Sequence, residues 1–149
     1  MIKRIKKKQL EKILKISKQF LMIDHASVSK KKKSLVAIKK LKRDWIYKSH
    51  FIKNPVFPGS LQIEAMLQAS VLLIYTLEKN SKKPILITKT SSNFYGKISG
   101  TGELTIKSQI NKNKKGMVEV KASIYFLNKK KMSDGTFTFI NPNKFFLSK

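Results

Sequence analysis

The sequence predicts an α+β protein in which an antiparallel sheet curls around one long apolar helix. Three observations point there. From Leu61 to Leu77 apolar residues occupy almost every helical face, with Gln62, Glu64 and Gln68 among the few interruptions. A helix that is apolar all round must be covered on all sides. Beyond Pro84 the period changes from helical to two: Val118, Val120, Ala122, Ile124 and Phe126 alternate with Glu119, Lys121, Ser123 and Tyr125. Strand-like segments also precede the helix, and a sheet long enough to wrap it satisfies both patterns. At 149 residues the chain reads as one domain, 1–149, with a real core.

The elements follow in order. Ile5, Leu10, Ile13, Leu14 and Ile16 form a rough helical stripe, so residues 1–17 read as a basic N-terminal segment with a short helix near 7–16. Phe20 to Ile23, ending at Asp24, reads as the first strand. Lys30 to Lys33 is a turn, and Ser34 to Leu41 is a second strand paired with the first. Asp44 to Asn54 shows no period; its aromatics Trp45, Tyr47 and Phe51 suit either core packing or an apolar substrate channel. Pro55 and Pro58 stiffen the next loop. Ser60 is the expected N-cap of the long helix, which runs to about Lys79. Asn80 to Lys83 is its exit turn. Strands then follow from Ile85 to Phe94, around Leu104 to Ile110, from Val118 to Phe126 and from Met132 to Ile140. They are separated by an irregular glycine-containing link, a turn at Asn111 to Gly116 and a turn at Asn128 to Lys130. Asp134-Gly135 reads as a bulge in the last strand. Pro142 ends regular structure, and 141–149 reads as a loose tail.

The net charge is +25, but all of the 33 cationic residues are lysine except Arg4 and Arg43. Sites that read or clamp phosphates favour the planar fork of arginine, and the lysines are scattered along the whole chain. This pattern favours a generally lysine-rich surface over a dedicated nucleic-acid site. Such a surface also attracts an acidic protein partner and speeds the encounter. The absence of cysteine excludes disulfides and thiolate chemistry. The basic start is not followed by a continuous apolar run, so a cytoplasmic protein without a membrane span is expected. Two histidines and eight scattered acids show no metal-ligand spacing.

The candidate chemistry lies between Ser49 and Gln68. Glu64 sits on an apolar helix with no basic residue within a turn. Burial raises a carboxyl pKa and so favours the neutral form a general acid needs. A bland alternative is a hydrogen bond to Gln68, one turn on at i+4. His50 offers an imidazole, a suitable base near neutral pH. The backbone N–H groups of Gly59 and Ser60 lie at a helix N-terminus, which favours developing negative charge. Base, acid and oxyanion site together suit proton abstraction next to a carbonyl with loss of a β-leaving group.

These residues carry a resemblance. His50-Phe51, Pro55-Val56-Phe57-Pro58-Gly59, Glu64-Ala65-Met66 and Gln68-Ala69 resemble the signature of the β-hydroxyacyl-(acyl carrier protein) dehydratases, with the FabZ-type branch the nearer match. Glu at 64, and Ser at 60 where the isomerising FabA-type branch has Cys, point away from that branch. The resemblance spans roughly residues 18–140. It implies a hot-dog fold and a homodimer, or a higher oligomer of dimers, with His50 of one chain facing Glu64 of the other. His50 would take the C2 proton, Glu64 would protonate the departing C3 hydroxyl, and the Gly59 N–H would hold the thioester oxygen. Ser60, Phe51, Phe57 and Gln68 would line the substrate site, with Phe57 shaping the acyl tunnel. No cofactor is implied, and an acidic acyl carrier protein would deliver the substrate. The family usually continues His-Phe with Pro-Gly; here Ile52-Lys53 follow.

The implied function is dehydration of 3-hydroxyacyl thioesters to trans-2-enoyl thioesters. Two alternatives remain open at this point. One is a related hot-dog thioesterase or hydratase. The other is a non-catalytic module that binds acyl groups or nucleic acid.

Overall fold

The computed structural model describes residues 1–78 and 84–140. Seven strands form one antiparallel sheet: β1 (Ile2–Lys6), β2 (His25–Ser29), β3 (Ser34–Leu41), β4 (Leu86–Phe94), β5 (Gly102–Lys114), β6 (Met117–Phe126) and β7 (Lys130–Ile140). Their order is β1-β2-β3-β5-β6-β7-β4, so β1 and β4 are the edges. Three α-helices join them, α1 (Lys7–Leu14), α2 (Trp45–Ser49) and α3 (Gly59–Leu77), with a short 3-10 turn at Lys18–Phe20. The sheet wraps α3, which packs against β3, β5, β6 and β7 and is covered on another side by α1. This is the hot-dog arrangement.

The core follows from the strand period. Leu104, Ile106, Val118, Val120, Ile124, Phe137 and Phe139 point inward and are buried against Met66, Ala69, Leu72 and Leu73 of α3. Each such side chain contributes about 1.5–3 kcal/mol on burial. By length and composition α3 could cross a membrane, but in this fold its apolar surface is spent on the sheet and on α1. One stripe is only half covered: Ile63, Glu64, Leu67, Val71 and Tyr75 lie at helical spacing along one face.

Several expected elements moved. The strand expected at Phe20 to Ile23 is absent; the strand paired with Ser34–Leu41 is His25–Ser29. Leu21, Met22 and Ile23 are all fully buried in succession, which a half-covered strand with alternating faces does not allow. The N-terminal segment is helical only over 7–14; Ile2–Lys6 is an edge strand paired to β2. Ser60 is exposed and is not the N-cap; Pro58 occupies that position and Gly59 begins the helix. A proline there suits a helix start, where no intrahelical partner exists for its missing N–H. The unassigned stretch after Asp44 holds α2, capped by the Asp44 side chain on the Ile46 N–H at 3.1 Å. The β5–β6 strands run nearly to their turn at Lys115-Gly116, where both residues have positive φ. The bulge in β7 falls at Met132, opposite Ile124 and Tyr125, while Asp134 and Gly135 stay in register. The Ser34–Leu41 strand, the Lys30–Lys33 turn and the extent of β6 match expectation. The expected exit turn at 80–83 and the tail at 141–149 lie outside the described residues.

Candidate active site

His50 caps the C-terminus of α2, its N–H bonded to Ile46 O at 3.0 Å. The stiff loop that follows folds back on it. Val56 N–H donates to His50 O at 2.7 Å, and the imidazole Nδ1 lies 3.0 Å from Val56 O. A carbonyl oxygen can only accept, so Nδ1 carries the proton in this contact, and Nε2 is the ring nitrogen left without a partner among the described residues. The loop thereby fixes the imidazole through one defined nitrogen. Phe51 stacks on the imidazole with ring centroids 4.0 Å apart and is itself exposed.

The same loop leads into α3. Phe57 is fully buried, and its N–H donates to Ile98 O at 2.8 Å. The buried Gln62 side chain donates to Phe57 O at 3.4 Å. The backbone N–H groups of Gly59, Ser60 and Leu61 make no hydrogen bond among the described residues, as expected for a helix start. Such unpartnered donors at the positive end of a 19-residue helix suit a developing oxyanion. A Cβ at position 59 would lie 3.2 Å from the Phe94 ring, so glycine keeps this approach open.

Glu64 is half-buried on the open stripe of α3. Burial pushes its carboxyl above the ordinary value of 4.5, and a hydrogen bond from Gln68 works in the opposite direction without cancelling it. Gln68 Nε2 donates to Glu64 Oε1 at 2.9 Å. The same amide donates to Phe20 O at 2.9 Å and accepts from Met22 N–H at 2.8 Å. Gln68 is buried and its polar atoms are spent within the protein. It therefore ties the Phe20–Met22 segment to the helix and orients Glu64. No hydrogen bond joins His50 to Glu64 among the described residues. Each is held by its own neighbours.

A further ion cluster braces the floor beside this region. Asp24 takes Lys7 Nζ at 2.8 Å and the Lys40 N–H at 2.8 Å. Partial burial alone would raise its carboxyl, but these bonds and the nearby Lys39 hold it below 3.8. Among the aromatics near His50, Tyr47 is buried and donates to Gly100 O at 2.9 Å, whereas Trp45 and Phe51 are exposed. Burial, reinforced by Asp44, pushes the Tyr47 hydroxyl up to about 12. Among the described residues no three His, Asp or Glu side chains converge as metal ligands would. Sequence reasoning missed Phe94, which reaches Gly59 only because β4 returns along the helix start.

A family model described as FabA-like domain matches residues 15–134. A 3-hydroxyacyl-[acyl-carrier-protein] dehydratase FabZ of Buchnera aphidicola subsp. Acyrthosiphon pisum (strain Tuc7) is 36% identical over 115 residues, covering 74% of this chain and 76% of the relative. The FabZ of Buchnera aphidicola subsp. Schizaphis graminum is 32% identical over 130 residues, covering 85% of each chain. Among solved structures, a hypothetical thioesterase with coenzyme A from Streptococcus pneumoniae TIGR4 superposes with a TM-score of 0.60. It is 17% identical over 72% of this chain and 77% of that one. A Streptococcus mutans UA159 protein bound to acetyl CoA gives 0.61 at 16% identity, over 76% and 84%. At these identities the structures establish the hot-dog fold, while the sequence relatives and the family match establish descent: the chain belongs to the FabA-like family, in its FabZ-type branch.

Proposed function

We propose that the protein dehydrates 3-hydroxyacyl-(acyl carrier protein) thioesters to trans-2-enoyl thioesters in cytoplasmic fatty-acid-type synthesis. The observation that carries this reading is the His50 Nδ1 contact to Val56 O, which leaves Nε2 as the free base. Nε2 takes the C2 proton, the electron pair moves into the C2–C3 bond, and the C3 hydroxyl leaves as water with a proton from Glu64. A carboxyl raised by burial supplies that proton more readily near neutral pH than an exposed one. The Gly59 N–H holds the thioester oxygen as negative charge develops there. Ser60 and Phe51 flank this position, Phe57 backs the acyl chain, and Gln68 acts as a positioning residue for Glu64.

The two catalytic groups meet across a homodimer in this reading. Two features support it. The outer edge of β4 is open, and its nine residues carry a single charge, Lys89, with Leu86 and Ile87 exposed. The other edge, β1, carries Lys3, Arg4 and Lys6, a pattern that blocks edge pairing. The half-covered Ile63–Val71 stripe places Glu64 on a face a second copy would cover. An acidic carrier protein is the partner that suits a chain of net charge +25.

The test is turnover of a carrier-bound 3-hydroxyacyl substrate by purified protein, with His50→Ala and Glu64→Gln each losing most of the rate. Mixing the two inactive variants rebuilds one intact site in each heterodimer. A statistical mixture should recover roughly a quarter of the wild-type rate. Wild-type-like activity in either single variant rejects the assigned roles; no recovery on mixing rejects the shared site.

A further inference from the structure

β3 carries a lysine on its core-facing side. Leu35, Ala37 and Leu41 are buried there, and Lys39 stands in the same alternation, paired with the buried Leu104 of β5. Lys40, next along the strand, faces the other way and is exposed, whereas Lys39 is half-buried. The Lys39 Nζ donates to Leu21 O at 3.0 Å, which fixes where the amine lies. The dehydration steps assigned to His50 and Glu64 make no use of this group.

Lys39 lines a cavity of about 410 Å³ walled by the start of α1, the segment before β2 and the start of α2. Leu21, Trp45 and Ile46 give it an apolar wall. Trp45 is 54% exposed, so this wall can be reached from solvent. Burial lowers the Lys39 ammonium below the ordinary lysine value of 10.5; Asp24 and Asp44 oppose the effect, while Lys7 and Lys42 reinforce it. More of the amine is therefore neutral near physiological pH than at the ordinary value, and the neutral amine is the nucleophile. Its bond to Leu21 O uses an N–H and leaves the lone pair of the neutral form free.

We propose that Lys39 is a self-acylation site, taking a short acyl group from a thioester that enters this cavity. The choice of a thioester as donor rests on the proposed function, which reads such compounds as the substrate class. The step itself uses neither His50 nor Glu64. Nζ attacks the thioester carbonyl carbon and forms a C–N bond. The tetrahedral adduct collapses, the C–S bond breaks, and sulfur leaves as a thiolate. The nitrogen gives one proton to solvent and the thiolate takes one up, so the products are an amide at Lys39 and a free thiol. The amide keeps one N–H for Leu21 O, loses the positive charge, and lays its acyl group against Trp45 and Ile46.

The test incubates the full chain with the butanoyl thioester of N-acetylcysteamine, a neutral probe that the surrounding lysines do not steer. Acylation at each position is followed by mass spectrometry of chymotryptic peptides. Lys39 should react roughly tenfold faster than the exposed Lys40 and Lys121, and the preference should vanish when urea unfolds the chain. Equal rates at the three positions in the folded protein would overturn the proposal, as would a preference that survives unfolding. This comparison needs no variant to fold. Trp45→Ala should slow Lys39 and leave Lys121 unchanged, because it removes a wall of the cavity; an unaltered rate at Lys39 would also overturn it. Lys39→Arg keeps the charge and a donor for Leu21 O but lacks the nucleophile, so the first acyl group added to the intact protein should disappear. Its persistence would assign that addition to another residue and overturn the proposal. His50→Ala separates the two readings. Turnover lost with the Lys39 preference retained supports self-acylation, and a preference lost with turnover overturns it. A wild type that dehydrates no thioester but still acylates Lys39 selectively overturns only the proposed function.

Discussion

Gln68 holds Glu64 by a 2.9 Å hydrogen bond from Nε2 to Oε1, and with the same amide it grips the backbone at Phe20 and Met22. Two functions meet in one buried side chain. It closes the apolar segment before β2 onto α3, and it orients the candidate acid. Gln68→Ala should cost about 2–4 kcal/mol in urea unfolding, because it strands the Met22 N–H and opens a cavity. Gln68→Glu tests the second role, since it places two carboxyls face to face. The activity profile should then shift while an unchanged fold is checked by circular dichroism. Wild-type stability in Gln68→Ala would show that the segment is held by packing alone.

Glu64 makes a signed prediction about pH. Its folded carboxyl titrates above 4.5 because burial penalises the charge. The protonated form is thus favoured by folding. The stability it contributes is complete below the unfolded value and is lost as pH rises through the folded one. Glu64→Gln keeps the acceptor for Gln68 and cannot ionise. Its melting temperature should match the wild type below the ordinary carboxyl value, and exceed it as pH rises through the raised folded one, the difference then levelling off, while its dehydratase rate falls by roughly 10²-fold or more. A variant less stable than wild type at the higher pH would count against this assignment.

Asp24 makes the opposite one. Although partial burial works against it, Lys7, the Lys40 N–H and Lys39 hold its carboxyl below 3.8. The contribution is present above the unfolded value and is lost as pH falls through the folded one. Asp24→Asn should destabilise by about 1 kcal/mol at neutral pH, a figure reduced for the exposure of the pair. The difference from wild type should shrink as pH falls through the lowered folded value and vanish below it. A constant difference across that range would assign the effect to packing instead.

The edge of β4 can be tested without touching either candidate catalytic group. Ile87 is exposed on the open side of a nearly uncharged edge strand. Ile87→Lys should move the protein from dimer toward monomer in sedimentation, because a charge on an edge strand opposes pairing. Turnover should fall in proportion to the dimer lost. A monomer with full activity would place His50 and Glu64 in functional contact within one chain.

Gly59→Ala tests the helix start. The added methyl would meet the half-exposed Phe94 ring at 3.2 Å, close enough to require a small shift. Stability should change by less than about 1 kcal/mol, whereas kcat should drop if the Gly59 N–H must meet the thioester oxygen closely. Phe94→Ala combined with Gly59→Ala separates the two causes. Recovery of rate in the double variant would assign the loss to the ring rather than to the N–H approach.

Much of this architecture was legible in the residue order, because period and composition are local. The apolar run from Leu61 to Leu77 could only be a covered helix, and the alternation from Val118 to Phe126 could only be a half-buried strand. His50, Gly59 and Glu64 stood out as candidates for the same reason: their chemistry is unusual for their immediate surroundings. Other features were decided by tertiary structure. Leu21, Met22 and Ile23 are buried together in the core, with the Met22 N–H held by Gln68 and Leu21 O by Lys39, so the strand starts later, at His25. Ile2–Lys6 becomes a strand only because β2 offers an unpaired edge. The cavity at Lys39 joins Lys7, Lys39 and Trp45 from separate segments of the chain, which no periodicity reveals. The nitrogen by which the loop holds His50 was also invisible in the residue order, since it depends on where the loop returns Val56 O. The sequence by itself determined which residues could perform chemistry; the folded backbone decided which atoms face one another, because hydrogen bonds and burial depend on distances between residues remote along the chain.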